Sequence, residues 1–349
     1  MNKNKKNACK LLHQLDELFQ AKKIVLVVQH DYPDPDSLAS AMALEHLITT
    51  RYNLEVRLAY GGRIQRAENL AMVKELNMHQ SQIRRLKLSR YDCIIMVDAQ
   101  PAAGNHSLPA DTPFDLVIDH HPLRKGASGR MSIIDPEVGA SATLMVELLD
   151  TAGISIPATL STALAYAIRT ETQELGRETS KRDILAYLQV YAQASMQKLY
   201  RIAYPKLPKT YFQMLSTGLN EARSYRNIIS LTMGDIENPE IVAEMADILL
   251  RHKRISWVIC LGRYQNGLFI SIRSSNPNAK AGQLIKKLVA DKRDAGGHDT
   301  FAGGRVSIEN LTDEQIGKLE NTMVLNFAKN LGYKQVEWKP LLGDGNAQN

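Results

Sequence analysis

The chain has 349 residues, of which 44% are hydrophobic and 23% charged, with a net charge of +6. At ~150 residues per domain this predicts two domains of ordinary soluble composition. No run reaches the ~18 apolar residues of a membrane span, and Cys9, Cys93 and Cys260 form no C-x-x-C pair, which excludes a zinc ribbon or a dithiol redox motif. The positive charge is compatible with a polyanionic substrate without specifying one. Along the chain, the basic start leads into Leu11, Leu12, Leu15 and Leu18, whose spacing predicts an amphipathic helix and not a signal-peptide core, so the cytoplasm is the expected location and no membrane partner is expected.

Residues 24–28 read as a buried strand, 37–50 as a helix, 54–60 as a strand and 66–76 as a helix. Two more apolar strands follow at 93–97 and 116–118, and helices at 140–152 and 160–170. This alternation predicts an α/β fold with a parallel sheet carrying helices on both faces. From 181 to 222 the strand signal disappears, and a helix over 183–204 is ended by Pro205 and Pro208. Strands at 228–233, 257–261 and 268–273, helices at 240–252 and 281–290, and a closing helix at 313–331 predict a second, smaller α/β domain.

Three of the apolar strands end in residues that can ligate a metal: His30-Asp-Tyr-Pro-Asp-Pro-Asp36, Asp98, and Asp119-His120-His121. Ligands bind beyond the carboxyl ends of strands in parallel sheets, so one sheet edge would gather all three. Pro33 and Pro35 exclude a helix over His30, Asp34 and Asp36 and favour extended backbone, in which Asp34 and Asp36 face one side. A helix starting near Ser37 would add its positive end. Taken singly, an Asp at a strand end is a turn or helix cap, and a His pair is a surface or core feature. Together these carboxylates and imidazoles would repel or protonate without cations, and mixed N/O ligands suit manganese, iron or zinc. No G-x-x-x-x-G-K-[ST], G-x-G-x-x-G or G-x-S-x-G motif competes with this reading.

On these residues the sequence resembles the DHH phosphoesterase superfamily. His30, Pro33, Asp34 and Asp36 match its H-x-x-P-D-x-D motif, Asp98 its second motif, and Asp119-His120-His121 the motif that names it. Residues 135–143 resemble the family stretch that enters the next helix. Ser271-Ile-Arg-Ser-Ser275 and Gly296-Gly-His-Asp-Thr-Phe-Ala-Gly-Gly304 resemble the DHH-associated substrate-binding domain of the nanoRNase (oligoribonuclease-like) branch. The implied division is a DHH metal-binding catalytic domain at 1–182, a helical linker at 183–222, the substrate-binding domain at 223–335 and a flexible tail at 336–349.

The resemblance implies two divalent metals, manganese first and magnesium second. His30 and Asp34 would hold one, Asp36 and His120 the other, and Asp98 would bridge them. Asp98, His120 and His121 form the implied catalytic group, with His121 at the scissile phosphate and Asp119 supporting a neighbour. Glu171 stands where the family commonly has Asp, adding one methylene to a ligand of the second metal. Arg273, Ser274, Gly296, Gly297, His298 and Gly303 would bind the substrate, through a glycine-rich loop open to phosphate. The implied activity is hydrolysis of short single-stranded oligonucleotides or linear dinucleotides to mononucleotides. An adenosine 3',5'-bisphosphate phosphatase and a catalytically weakened nucleotide sensor are the alternatives, and a homodimer is among the expected assemblies.

Overall fold

In the computed structural model, which describes residues 12–109, 111–124, 129–176, 179–289, 295–297 and 299–342, strand alternation sets how the first sheet is covered. Strands β1 (Ile24–Val28), β2 (Glu55–Tyr60), β3 (Ser81–Gln82), β4 (Cys93–Val97), β5 (Leu116–Asp119) and β6 (Met131–Ile134) lie in the order β3-β2-β1-β4-β5-β6, each pair parallel. Val25, Val27, Cys93, Ile95, Val97, Leu116 and Ile118 project to one face. There they meet the helices Pro35–Tyr52, Ser141–Thr151 and Ala158–Glu171 through residues such as Leu44, Leu148 and Leu164.

The intervening Leu26, Val28, Ile94, Met96 and Val117 project to the opposite face. Helices were expected on both faces, but among the described residues no α-helical side chain belongs to this second cluster. Ile83 of a 3-10 turn, with Leu108 and Phe114 from loops, covers it instead. The segment between β3 and β4 forms two 3-10 turns rather than a helix, which leaves that face a thinner cover. Residues 12–19 are helical and bury Leu12, Leu15 and Phe19 in the main core, as the apolar spacing predicts.

The chain forms two compact units, Met1–Lys206 and Leu207–Asn349. The stretch 183–222, expected as a linker, is shared between them. Helices Lys181–Tyr191 and Met196–Ala203 bury Ala186, Val190, Leu199 and Ile202 in the first unit's core. Helix Lys209–Glu221 lays Tyr211, Met214 and Leu215 against a core of the second unit. The single helix expected over 183–204 is interrupted before Ser195, whose side chain caps the following helix by accepting from the Lys198 backbone N–H.

The second unit contains a seven-stranded sheet in the order β11-β12-β10-β9-β8-β7-β13. Its strands are β7 (Arg223–Tyr225), β8 (Ile228–Asp235), β9 (Trp257–Tyr264), β10 (Gly267–Ser274), β11 (Ala295–Gly297), β12 (Phe301–Ser307) and β13 (Lys339–Pro340). Among the described residues only the β8–β9 pair of this sheet is parallel. The tail expected from residue 336 is held as far as residue 341: Val336 and Trp338 pack on the core, β13 pairs with β7, and the Leu341 backbone N–H donates to the Ala222 carbonyl. Residues 343–349 lie outside the described residues. Among the described residues no helix is long and apolar enough to cross a membrane.

Candidate metal centre

Because β1 has β2 on one side and β4 on the other, the chain reverses its winding between β1 and β4, which opens a crevice at their carboxyl ends. His30 follows β1, Asp98 follows β4, and Asp119, His120 and His121 end or follow β5, so the strand order alone brings the three motifs to one edge. Two groups of ligand atoms form there, each with its members within 4.8 Å of one another: His30, Asp34 and Asp98, and Asp98, His120 and His121. Asp98 is common to both. It stands at φ 57, a left-handed conformation that aspartate tolerates better than most residues, and its backbone N–H is held by the Ile118 carbonyl at 2.8 Å.

Asp34 serves as a cap and as a site residue at once. One carboxylate oxygen accepts from the Ser37 backbone N–H at 2.9 Å, starting the helix Pro35–Tyr52, while the other lies 3.5 Å from His30 Nε2. His30 Nδ1 is engaged by the Asp31 carbonyl at 2.8 Å, which turns Nε2 toward Asp34 and toward Asp98, 3.7 Å away. His120 Nε2 lies 3.7 Å from Asp98 and 3.9 Å from Asp36, and it is buried without a hydrogen-bond partner. These separations are too long for hydrogen bonds. Two atoms each ~2.1 Å from one ion lie ~3–3.5 Å apart, so a shared cation fits the spacing.

Asp36 is completely buried, and its two oxygens accept from the backbone N–H groups of Ser141 and Ala142 at 2.7 and 2.8 Å, the first residues of the helix Ser141–Thr151. Ser141 Oγ donates to Asp98 at 2.9 Å. Two helix N-termini thus face the carboxylates, where their dipoles favour negative charge. Among the described residues neither Asp36 nor Asp98 has a Lys or Arg ion pair. Two buried carboxylates with no Lys or Arg beside them among the described residues call for a cation.

The electrostatics agree. Burial, reinforced by the charge of Asp34, pushes the Asp36 carboxyl up to about 7. Burial and the neighbouring Asp36 and Asp34 carboxylates hold Asp98 well above the usual carboxylate range, with Glu171 a further contributor. Burial opposes charge on His30, but the adjacent Asp34 carboxylate outweighs it and lifts the imidazole to about 9. Asp34 resists the raising effect of burial through His30 and falls to about 2. Burial and the proximity of His121 lower His120 to about 4, leaving it neutral with a lone pair to offer.

Asp119 Oδ1 holds His121 Nδ1 at 2.8 Å. Its Oδ2 accepts from Gln100 Nε2 at 2.7 Å, and Gln100 also accepts from the Arg124 backbone N–H at 2.9 Å. Of the residues anticipated as ligands, His30, Asp34, Asp98 and His120 fall within the two groups. His121, anticipated at the phosphate, joins the second group. Asp36 lies 3.9 Å from His120 without being a member, and Glu171 belongs to neither group, its charge only adding to the upward shift of Asp98. Sequence reasoning missed Gln100, Ser141 and Asp183. Buried Asp183 caps its own helix with Ser180 and also accepts from Gly139 N and Thr143 Oγ1, fixing the loop that presents Ser141. The spacing Ser180-x-x-Asp183 before an apolar run was the available signal.

The anticipated substrate residues of the second unit take different places. Arg273 donates to Asp247 at 2.6 Å and to Ser271 Oγ at 2.8 Å, and lies over the Phe301 ring. Ser274 is buried, with its hydroxyl donating to the Ser256 carbonyl at 2.9 Å. The expected glycine-rich loop is instead a pair of strands: Gly296 lies opposite Gly303, and Gly303 also opposite Ser271. A Cβ on Gly297, at φ 152, would sit 2.3 Å from the Phe301 carbonyl oxygen, so glycine serves the close strand approach here. His298 lies outside the described residues.

Comparison with known proteins gives the same two parts. The profile described as the DHH family, N-terminal domain, matches residues 24–168, and that of the DHHA1 domain matches residues 226–323. An uncharacterized protein of Methanocaldococcus jannaschii is 31% identical over 307 residues, covering 87% of this chain. The chain spans 62% of that relative's length. The crystal structure of an exopolyphosphatase-related protein from Bacteroides fragilis has a TM-score of 0.74 at 17% identity, covering 92% of this chain and 97% of that one, a likeness of fold. A putative family II inorganic pyrophosphatase of Methanococcus jannaschii gives a TM-score of 0.46 at 16% identity, covering 85% and 99%.

Proposed function

The chain is a DHH-family protein with a DHHA1 domain, and from that premise we propose that it is a metal-dependent phosphodiesterase cleaving short oligonucleotides or linear dinucleotides to mononucleotides. The observation that carries this reading is Asp98, one carboxylate common to two groups of ligand atoms, as a pair of neighbouring cations requires. His30 and Asp34 would complete one cation site. His120 would complete the other with Asp36 at its edge, and Glu171 lies close enough to raise Asp98. The mixed N/O set suits manganese, with magnesium second. Bound divalent ions there would supply Lewis acidity and an acidified water nucleophile.

The chain's own residues do the positioning. Asp36, locked by the Ser141 and Ala142 amides, and Asp98, locked by Ser141 Oγ, keep their oxygens fixed without reorganisation. The Asp119 carboxylate orients His121 through Nδ1, so that Nε2 can contact the phosphate or give a proton to the leaving oxygen. In the second unit Arg273, held by Asp247 and Ser271, is preorganised to meet a nucleotide phosphate.

The test is release of mononucleotides from two- to five-nucleotide RNAs and linear dinucleotides, beside adenosine 3',5'-bisphosphate and tripolyphosphate, each with manganese and magnesium. Faster turnover of the short diesters supports the reading. Preference for tripolyphosphate or the bisphosphate, or equal rates on long strands, rejects it.

A further inference from the structure

Tyr32 stands between two residues of the first ligand group, His30 and Asp34, in a conformation its own chemistry disfavours. Its φ is 57, a left-handed value that is an outlier for a bulky aromatic residue and costs on the order of 1–2 kcal/mol. The surroundings enforce it. The Tyr32 backbone N–H donates to the Gly61 carbonyl at 3.1 Å, and that of Asp31 to the Asn105 carbonyl at 2.7 Å. The Asp31 carboxylate accepts from Ser107 N at 3.0 Å and Ser107 Oγ at 2.6 Å. Two loops therefore clamp the motif at this residue.

The loop after β2 also makes room for the ring. A Cβ on Gly61 would lie 1.7 Å from the Asp31 carboxylate, and one on Gly62 would lie 2.9 Å from the Tyr32 ring. The ring rests on the bare Gly62 backbone, and 41% of the residue still faces solvent. An aromatic side chain held in a disfavoured conformation, two residues from a ligand on either side and partly open, has the form of a stacking platform.

We propose that Tyr32 is a specificity-determining residue that stacks on the nucleobase of the nucleotide whose phosphate is held at the Asp98 centre. The inference rests on the nucleotide reading of the site given above. Stacking needs only the face of a base, so the platform selects base-bearing phosphates over base-free ones without reading sequence. The side chain makes no bond to the reacting atoms. Its effect falls on affinity.

The experiment is calorimetric titration of the manganese-loaded full chain with adenosine 5'-monophosphate and with ribose 5-phosphate, which differ by the base alone. The wild type is expected to bind the nucleotide ~5- to 150-fold more tightly, the range of one stacked base. Tyr32→Asn removes the ring with a residue that tolerates positive φ, and is expected to bring the ratio close to one while ribose 5-phosphate affinity stays unchanged. Tyr32→Phe is expected to keep the ratio. A wild-type ratio near one, a ratio that survives Tyr32→Asn, or no measurable nucleotide binding would each overturn the assignment. Failure of the phosphodiesterase reading shows separately, as absent turnover in the substrate panel with the binding ratio intact.

Discussion

Cation binding at this centre must compete with protons, and the competition sets a pH dependence opposite in sign to that of the cation-free fold. Without a cation, His30 is raised from 6.5 to about 9 and Asp36 from 3.8 to about 7. A group whose pKa is raised by folding stabilises the fold below its unfolded value and loses that contribution as pH climbs through the folded value. Between about pH 4 and 6.5 the lowered His120 offsets Asp36, so the cation-free fold should weaken chiefly between about pH 6.5 and pH 9. Ligands bind metal only when deprotonated, so each proton displaced makes affinity rise tenfold per pH unit, ~1.4 kcal/mol. From about pH 6 to pH 8 His30 contributes one proton throughout, and Asp36 contributes another until about pH 7. Together they amount to ~1000-fold in affinity, or ~4 kcal/mol of added stabilisation at fixed free metal. At ~2–4 °C per kcal/mol for a unit of this size, the manganese-induced rise in Tm should grow by ~8–16 °C across that interval. Differential scanning calorimetry with and without manganese measures it, with Asp98→Asn as the control that removes the increment. An increment that is flat, or that shrinks as pH rises, would refute the assignment of these residues as cation ligands.

Asp98→Asn keeps a side chain suited to φ 57 and removes the shared charge, so hydrolysis should fall by ~10^3-fold or more in a mononucleotide-release assay while the cation-free Tm holds or rises. Gln100→Leu leaves the buried Asp119 oxygen and the Arg124 amide without their partner. It should lower kcat ~10- to 100-fold with KM little changed. Asp183→Ala strands the amide of Gly139 and the hydroxyl of Thr143 in the interior. Urea titration should show a loss of ~3–5 kcal/mol with an unchanged slope. Gly297→Ala, at φ 152 and against the Phe301 carbonyl, should lower the Tm of the second unit by straining β11 against β12.

The sequence by itself determined the longer apolar strands and the residue types gathered at the candidate centre. Apolar runs placed β1, β4 and β5, because a strand buried on both faces needs an uninterrupted apolar stretch. The prolines of His30–Asp36 and the Asp119-His120-His121 run carried the ligands, because residue type and local spacing are enough to specify donor atoms. The strands β3, β6, β7, β11, β12 and β13 were not legible. All but β6 and β12 have only two or three residues and are strands because a neighbour supplies their hydrogen bonds, while β12 carries two glycines that hide its strand character.

The glycines at 296, 297 and 303 read as a loop because glycine is depleted in strands, although Gly296 pairs with nearby Gly303 and Gly297 with nearby Ala302, and Gly303 pairs also with the more distant Ser271. Only the tertiary structure decided that Asp98 belongs to both ligand groups, and that Asp36 spends its oxygens on the Ser141 and Ala142 amides 105 and 106 residues away. It also decided that Tyr32 is held at positive φ by two distant loops. Donor identity is a local property of the chain. Which donors share an ion, and which backbone is held against its own preference, depends on contacts between segments that are far apart in sequence and meet only when the sheet assembles.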